Sequence, residues 1–180
     1  HLFSSAASDV YKRQVFNNAF SNAPVCSVAR STIITGVYSP RIGTQYHRRM
    51  SLVKLPDDVK PLPVYLKEAG YYTSNNSKED YNLLTSPLAW DESSQTAHWR
   101  NRKEGQPFFS VFNFNVTHES RVWKNKAAYS KEELENVTIP DLCPKDSRIR
   151  GDLLTNYKNI EKLDIQIGVI IDQLKADGLY

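Results

Sequence analysis

The chain has 180 residues, of which 40% are hydrophobic and 24% are charged, values typical of a globular domain large enough to bury a core. Its 23 Lys and Arg against 20 Asp and Glu give a formal net charge of +3. The basic residues are scattered, which argues against a nucleic-acid-binding surface, and no apolar run is long enough to span a bilayer. Two cysteines, Cys26 and Cys143, are too few for a disulfide framework or a four-cysteine zinc site.

The first 14 residues resemble a translated sequencing-adapter tail, and we expect them to lie outside the fold. The remaining residues, 15–180, are then predicted to form one domain. Because the chain starts without Met and stops directly after a predicted helix, we expect it to be a piece of a longer protein.

Residues 26–36 predict a short helix entered from a loop. Pro24 suits a helix entrance, and Gly36 suits a left-handed exit. Three residues are expected to form its apolar stripe: Val28, Thr32 and Ile33. Cys26 would lie at the positive end of the helix dipole, with Arg30 one turn later on the same face. This pattern predicts a site for the chemistry of anions.

The next segments predict a loop, a helix and a strand. Residues 37–60 are rich in Pro, Arg and turn formers, which predicts a long surface loop without a core of its own. Residues 62–70 predict a helix that ends at Gly70. Its buried face is expected to carry Leu62, Leu66 and Ala69. Residues 71–76 form a β-prone run, and this helix–Gly–strand step is typical of a layered α/β fold.

The strongest strand signal lies at residues 107–114, after a mostly irregular stretch at 82–106. The run is apolar at both odd and even positions, which indicates a strand covered on both faces in a parallel sheet. His118 follows just beyond its carboxyl end, where open α/β sheets bind ligands. A polar segment at 121–140 allows a short helix at 131–135.

The last predicted element is a long amphipathic helix. Its apolar residues recur every three or four positions: Ile149, Leu153, Tyr157, Ile160, Leu163, Ile167, Ile170 and Leu174. Asp146 or Ser147 is expected to cap its start, and Gly178 to end it. Helices alternating with strands in this order predict the α/β class.

The spacing Cys-x-x-x-Arg, four residues, Thr-Gly at residues 26–36 resembles the signature of the type I sulfatases, members of the alkaline phosphatase superfamily. The usual signature has Pro and often Ser where this chain has Val28 and Ala29. Two further segments, 66–78 and 107–118, resemble family motifs and occur in the family's order. The resemblance implies an alkaline-phosphatase-like, mainly parallel sheet flanked by helices, of which residues 15–180 would be the N-terminal part. The amino-acid sequence at residues 75–82 and 116–121 is most similar to that of bacterial relatives of heparan N-sulfatase.

The resemblance also implies roles for individual residues. In the family, the cysteine is oxidised to formylglycine, whose hydrated aldehyde is the nucleophile. Lys78 matches a lysine that contacts the sulfate, and His118 matches a histidine that binds the bridging ester oxygen and protonates the leaving group. The family has a second His where this chain has Asp80, so Asp80 or its neighbour Tyr81 is expected to face the substrate. His47, in the loop after the motif, is a further candidate for substrate contact. The implied catalytic residues are therefore Cys26, Arg30, Lys78 and His118.

The resemblance implies calcium as the metal, bound in part by the formylglycine oxygen at Cys26. The other ligands are expected upstream of Val15 and downstream of Tyr180, so the 180-residue chain is expected to be inactive alone. The implied partners are a sulfated carbohydrate and a formylglycine-generating enzyme, with no nucleic acid and no membrane span. The longer parent protein is expected to be periplasmic or secreted.

Two alternatives stay open at the level of sequence. A formylglycine-dependent phosphonate or phosphodiester hydrolase would share the nucleophile and the metal. A non-catalytic homologue would bind glycan while Cys26 stays a thiol. Substrate turnover separates the first alternative from a sulfatase, and the chemical state of Cys26 separates the second.

Overall fold

A computed structural model of the protein describes residues 18, 20–48, 50–84, 89–124 and 128–180. They belong to two compact units, Phe16–Asn113 and a second unit whose described residues fall within 114–180. The predicted tail at 1–14 lies outside the described residues, so that expectation stays a prediction. No helix in the described ranges is both long and apolar enough to cross a membrane.

The first unit is built on a parallel three-stranded sheet. Its helices and strands are α1 (Cys26–Thr35), α2 (Leu62–Glu68), β1 (Tyr72–Asn76), β2 (Glu92–Ser93) and β3 (Phe108–Phe112). A 3-10 turn lies at Trp99–Asn101. The strand order is β2-β1-β3, with both pairings parallel. The predicted α/β class with a parallel sheet is therefore confirmed, and β2 is an edge strand in a stretch that the sequence predicts as loop.

The most buried strand is the polar β1 rather than the apolar β3. Thr73, Ser74 and Asn75 are fully buried in β1, whereas every residue of β3 is half-buried. The Ser74 hydroxyl bonds that of Ser110 at 2.7 Å, and Asn75 Nδ2 donates to Ser93 Oγ at 3.0 Å. Polar side chains can occupy the middle of a sheet when their hydrogen bonds are satisfied across strands, so the most apolar strand of the sequence need not be the most buried one.

The apolar core of this unit corrects three sequence predictions. Its buried members are Ile34, Ile42, Leu83, Ala89 and Trp90. Ile42 shows that the predicted surface loop at 37–60 contributes to the core. In α1, Val28 and Ile34 are buried while Ile33 is 74% exposed, so the predicted stripe is wrong at Ile33. In α2, Pro63 is buried and Leu62 is exposed, so that helix face was also predicted wrongly.

The error in α1 has a physical cause. Ser27 and Ser31 occupy its buried face, where the Ser31 hydroxyl donates to the Ser27 carbonyl at 2.6 Å. A hydroxyl that is satisfied by its own helix can be buried at low cost. A count of apolar residues therefore misses the face that these two serines share with Val28.

The second unit is helical in its described part, with α3 (Ser120–Lys124), α4 (Lys131–Glu135) and α5 (Ser147–Ala176). The short helix predicted at 131–135 is confirmed, with Ser130 forming a capping box. Asp146 caps α5 by accepting the Arg148 N–H at 2.7 Å, and Gly178 follows its end with φ of 68°. The predicted stripe of α5 is half-buried along its length, while its fully buried residues are Gly151, Leu154, Thr155, Asn159 and Gly168.

Candidate active site

Cys26 is the first residue of α1 and is half-buried. The residue before it, Val25, is extended and offers no side-chain cap to the first-turn amides. Gly36 ends the helix in the left-handed region, and its N–H donates to the Thr32 carbonyl at 2.8 Å. The predicted entrance and exit of this helix are confirmed, and Cys26 lies at the positive end of its dipole.

Arg30 ties α1 to the segment that follows β1. Its Nε donates to the Glu79 carbonyl at 2.7 Å, and its Nη2 donates to the Lys78 carbonyl. The guanidinium carbon also lies 5.7 Å from the ring centroid of Tyr81. Arg30, one helical turn after Cys26, therefore holds the backbone of residues 78 and 79 through two guanidinium nitrogens.

Asp80 lies between two cations. Arg48 donates from Nε and Nη2 to the two carboxylate oxygens at 3.2 Å each, and Lys78 Nζ lies 3.4 Å from Oδ2. Burial raises the pKa of Asp80. The hydrogen bonds from Arg48 and the positive charge of Lys78 lower it by a larger amount, so the net pKa is below the ordinary value. Asp80 in turn raises the pKa of Arg48. The carboxylate is charged at neutral pH and fixes both cations.

His47 is hydrogen-bonded to Ser27, the residue after Cys26. Its Nδ1 lies 2.9 Å from Ser27 Oγ, and the same oxygen accepts the Arg48 N–H at 3.0 Å. The exposed imidazole is thus hydrogen-bonded beside the start of α1.

Asn82 joins the three segments of the site. Its N–H donates to Ser31 Oγ at 3.0 Å, and its Nδ2 donates to the carbonyls of Thr44 at 3.0 Å and Tyr46 at 2.5 Å. Asn82 is 1% exposed. It therefore fixes the loop before His47 and the segment after Lys78 against α1.

His118 belongs to the second unit, where it lies in the turn before α3. Its Nδ1 lies 2.9 Å from Ser120 Oγ and accepts the Ser120 N–H at 3.3 Å. The Nε2 position therefore carries the proton of the neutral ring. Its implied role at the leaving group stays a prediction.

The first unit thus contains five of the six predicted site residues: Cys26, Arg30, His47, Lys78 and Asp80. Sequence reasoning missed Ser27, Arg48 and Asn82. Arg48 and Asp80 are 32 residues apart, and the sequence gives no signal that pairs them. The sequence signal that could have drawn attention to Arg48 is its position directly after His47.

The described part of the chain does not by itself provide a metal site. No three His, Cys, Asp or Glu side chains among the described residues are grouped so that they could hold an ion. Calcium prefers six to eight oxygen ligands, which these residues do not supply.

These features define an α/β protein with a cysteine at a helix start and cations beside the carboxyl end of a parallel strand. The family model described as Sulfatase matches residues 3–92, half of the chain. The chain belongs to the sulfatase family.

Three curated relatives extend this finding. The chain is 33% identical to an ulvan-active sulfatase of Formosa agariphila over 92% of its own length and 35% of that protein. It is 26% identical to another ulvan-active sulfatase of the same organism, covering 91% of the chain and 40% of that protein. It is 21% identical to human N-sulphoglucosamine sulphohydrolase, covering 92% of the chain and 41% of that enzyme. The chain therefore spans well under half the length of these relatives.

Proposed function

We propose that this chain is part of the catalytic domain of a sulfatase that hydrolyses sulfate esters or sulfamates of a sulfated glycan. The observation that carries the proposal is the clamp from Arg30 to the Lys78 and Glu79 carbonyls, which holds a lysine segment against the helix that begins with Cys26. The named activities of the relatives support a sulfated polysaccharide as the substrate class.

Cleavage of a sulfate ester requires an oxygen nucleophile, positive charge around the sulfuryl oxygens and a proton donor for the leaving group. In this proposal a formylglycine-generating enzyme converts Cys26 to an aldehyde with dioxygen as the oxidant and with loss of the sulfur, and water then adds to give a gem-diol. One hydroxyl attacks the sulfuryl sulfur as the bond to the leaving oxygen or nitrogen breaks, and the second hydroxyl then loses its proton and expels sulfate, which restores the aldehyde. Lys78 contributes positive charge to the sulfuryl oxygens, and the first-turn amides of α1 add partial positive charge. His118 protonates the leaving oxygen or nitrogen from Nε2, which its contacts with Ser120 leave protonated.

Arg30 contributes mainly by orientation. With Nε and Nη2 engaged on the backbone, its charge lies beside Lys78 while its planar group fixes the path of residues 78–79. His47 and Asp80 complete the substrate-facing side of the site in this proposal. A formylglycine-generating enzyme is the maturation partner, and we infer a periplasmic or secreted location for the complete enzyme.

The test is the chemical state of Cys26. The chain is expressed with and without a formylglycine-generating enzyme, and the peptide containing Cys26 is analysed by mass spectrometry after reduction and alkylation. We expect an aldehyde at Cys26 only in the presence of that enzyme. Cys143, the second cysteine, is the matched internal control and stays alkylated in both samples.

A thiol at Cys26 under both conditions would contradict the proposal and favour a glycan-binding homologue without catalysis. Conversion is followed by assay of the complete domain with an aryl sulfate. The Cys26→Ala variant is expected to lose turnover, because it lacks the nucleophile.

A further inference from the structure

Arg48 and Asp80 share an unusual backbone conformation. They are the two non-glycine residues with positive φ in the described part of the chain, at 47° and 48°. A left-handed conformation is costly for a side chain such as arginine and persists where the surroundings enforce it. The same two residues form the bidentate ion pair. Two strained positions that meet in one contact point to a role beyond folding.

The guanidinium of Arg48 remains available after it pairs with Asp80. The pair uses Nε and Nη2, which leaves three of the five N–H donors of an arginine. The side chain is 60% exposed, compared with 17% for Asp80. Arg48 therefore offers a charged group that is held in place on one side and accessible on the other.

The backbone of Arg48 is anchored next to Cys26. Its N–H donates at 3.0 Å to the hydroxyl of Ser27, the residue that follows Cys26 at the start of α1. Arg48 is therefore held beside the first turn of the helix that begins with Cys26.

We propose that Arg48 binds an anionic oxygen of the substrate beside Cys26, and that Asp80 is the positioning residue that holds Arg48 and Lys78 for this contact. The inference rests on the proposed function, because it adds a binding residue to the same site. Arg48 then determines affinity for the sulfated group. In this role Asp80 acts through the two cations that it holds.

The reason for a carboxylate at this position is geometric. Two neighbouring cations repel each other and would spread apart, whereas a carboxylate between them holds both in one arrangement before the substrate arrives. Two cations against one carboxylate still leave the cluster positive, so it attracts an anion. Ordering the long side chains in advance removes part of the entropy cost of binding.

The role of Arg48 is tested by kinetics of the matured complete domain with 4-nitrophenyl sulfate, and by inhibition with inorganic sulfate. We expect Arg48→Ala to raise both KM and the inhibition constant of sulfate by about tenfold or more, with a smaller effect on kcat. Arg48→Lys should recover part of the loss, since it keeps the charge without the fork. Arg41→Ala, at an exposed arginine of the same loop, is the matched control and should resemble the wild type. An Arg48→Ala enzyme with wild-type KM and sulfate inhibition would overturn the inference.

The role of Asp80 is tested by whether the inhibition constant of sulfate rises or falls in Asp80→Asn. Asp80→Asn raises the local positive charge, so charge alone predicts tighter binding of sulfate. Positioning predicts weaker binding, because the amide cannot hold both cations. We expect a higher inhibition constant for sulfate in Asp80→Asn and partial recovery in Asp80→Glu. Tighter binding in Asp80→Asn would overturn the positioning role, and circular dichroism checks that each variant is folded.

A second measurement separates this inference from the proposed function. Inorganic sulfate, with chloride as the reference salt, is titrated into the 15N-labelled 180-residue chain while the Nε resonance of Arg48 is followed. A sulfate-specific shift of this resonance supports anion binding by Arg48 even if the complete domain hydrolyses no sulfate ester. Identical responses to sulfate and chloride would overturn the inference even if turnover is observed.

Discussion

At the scale of the residue, the site shows how one arginine can organise a segment far away in the sequence. Arg30 donates to two successive carbonyls, of Lys78 and Glu79, from nitrogens with a fixed relative orientation. A lysine would supply the charge but not two donors in one plane. The motif arginine is therefore required for its shape as well as its charge.

We predict that Arg30→Lys lowers the free energy of unfolding of the chain by about 1–3 kcal/mol, the usual cost of losing hydrogen bonds from a charged group. Urea denaturation of the 180-residue chain measures the loss, and hydrogen exchange should show faster exchange at the Asn82 amide. Arg41→Lys is the control and should change the free energy by less than about 0.5 kcal/mol. If Arg30→Lys unfolds at the wild-type urea concentration, the backbone clamp does not stabilise the fold.

At the scale of the element, β1 depends on polar contacts at its edges. Asp91 accepts the Thr73 N–H at 2.8 Å and the Thr73 hydroxyl at 3.2 Å, and it lies 3.0 Å from Lys67 Nζ on α2. Burial raises the pKa of Asp91. The hydrogen bonds from Thr73 and the charge of Lys67 lower it by a larger amount, so the net pKa is below the ordinary value of 3.8. One carboxylate thus fastens the central strand and α2.

This shift predicts a pH dependence with a defined sign. The folded-state pKa of Asp91 lies below the unfolded value, so its contribution to stability is present above about pH 4 and is lost as the pH falls through the folded pKa. We expect Asp91→Asn to unfold at lower urea than the wild type at pH 7, and the difference to shrink towards pH 2. Urea midpoints at several pH values measure it. A difference that is constant across this range would show that the charge of Asp91 does not stabilise β1.

At the scale of the whole molecule, the chain combines two compact units and carries a formal net charge of +3. The first unit contains the helix with Cys26 and the cations around it, and the second contains His118. The curated relatives are longer, since the chain covers 35% to 41% of their lengths. Sulfatase activity should therefore be measured on a longer protein that contains this chain.

We predict that this complete domain prefers sulfate esters to phosphonate esters. Comparison of 4-nitrophenyl sulfate with an aryl phosphonate monoester should give a kcat/KM at least about tenfold higher for the sulfate, a difference of about 1.4 kcal/mol in transition-state binding. The Cys26→Ala enzyme is the control for both substrates and should be inactive with each. A preference for the phosphonate would reassign the enzyme to the phosphonate or phosphodiester hydrolases.

The sequence by itself determined the features that depend on neighbouring residues. The bounds of α1 and α4, the cap at Asp146 and the turn at Gly36 follow from local capping chemistry, and the structure confirms them. The parallel sheet followed from residues 107–114, which are apolar at both odd and even positions. Cys26 and Arg30 could be singled out from their place at a helix start one turn apart, whereas Lys78 and His118 were named through the resemblance to the sulfatases.

The tertiary structure decided which residues are buried and which distant side chains meet. The burial of Ser27 and Ser31, the central place of the polar β1 and the pairing of Arg48 with Asp80 all depend on partners far away in the chain or on backbone groups that periodicity does not count. Hydrogen-bond satisfaction is a property of three-dimensional neighbours, so a pattern of apolar residues cannot reveal it. For this protein the sequence determined where the helix of Cys26 begins, and the fold decided that Arg48 and Lys78 share one carboxylate.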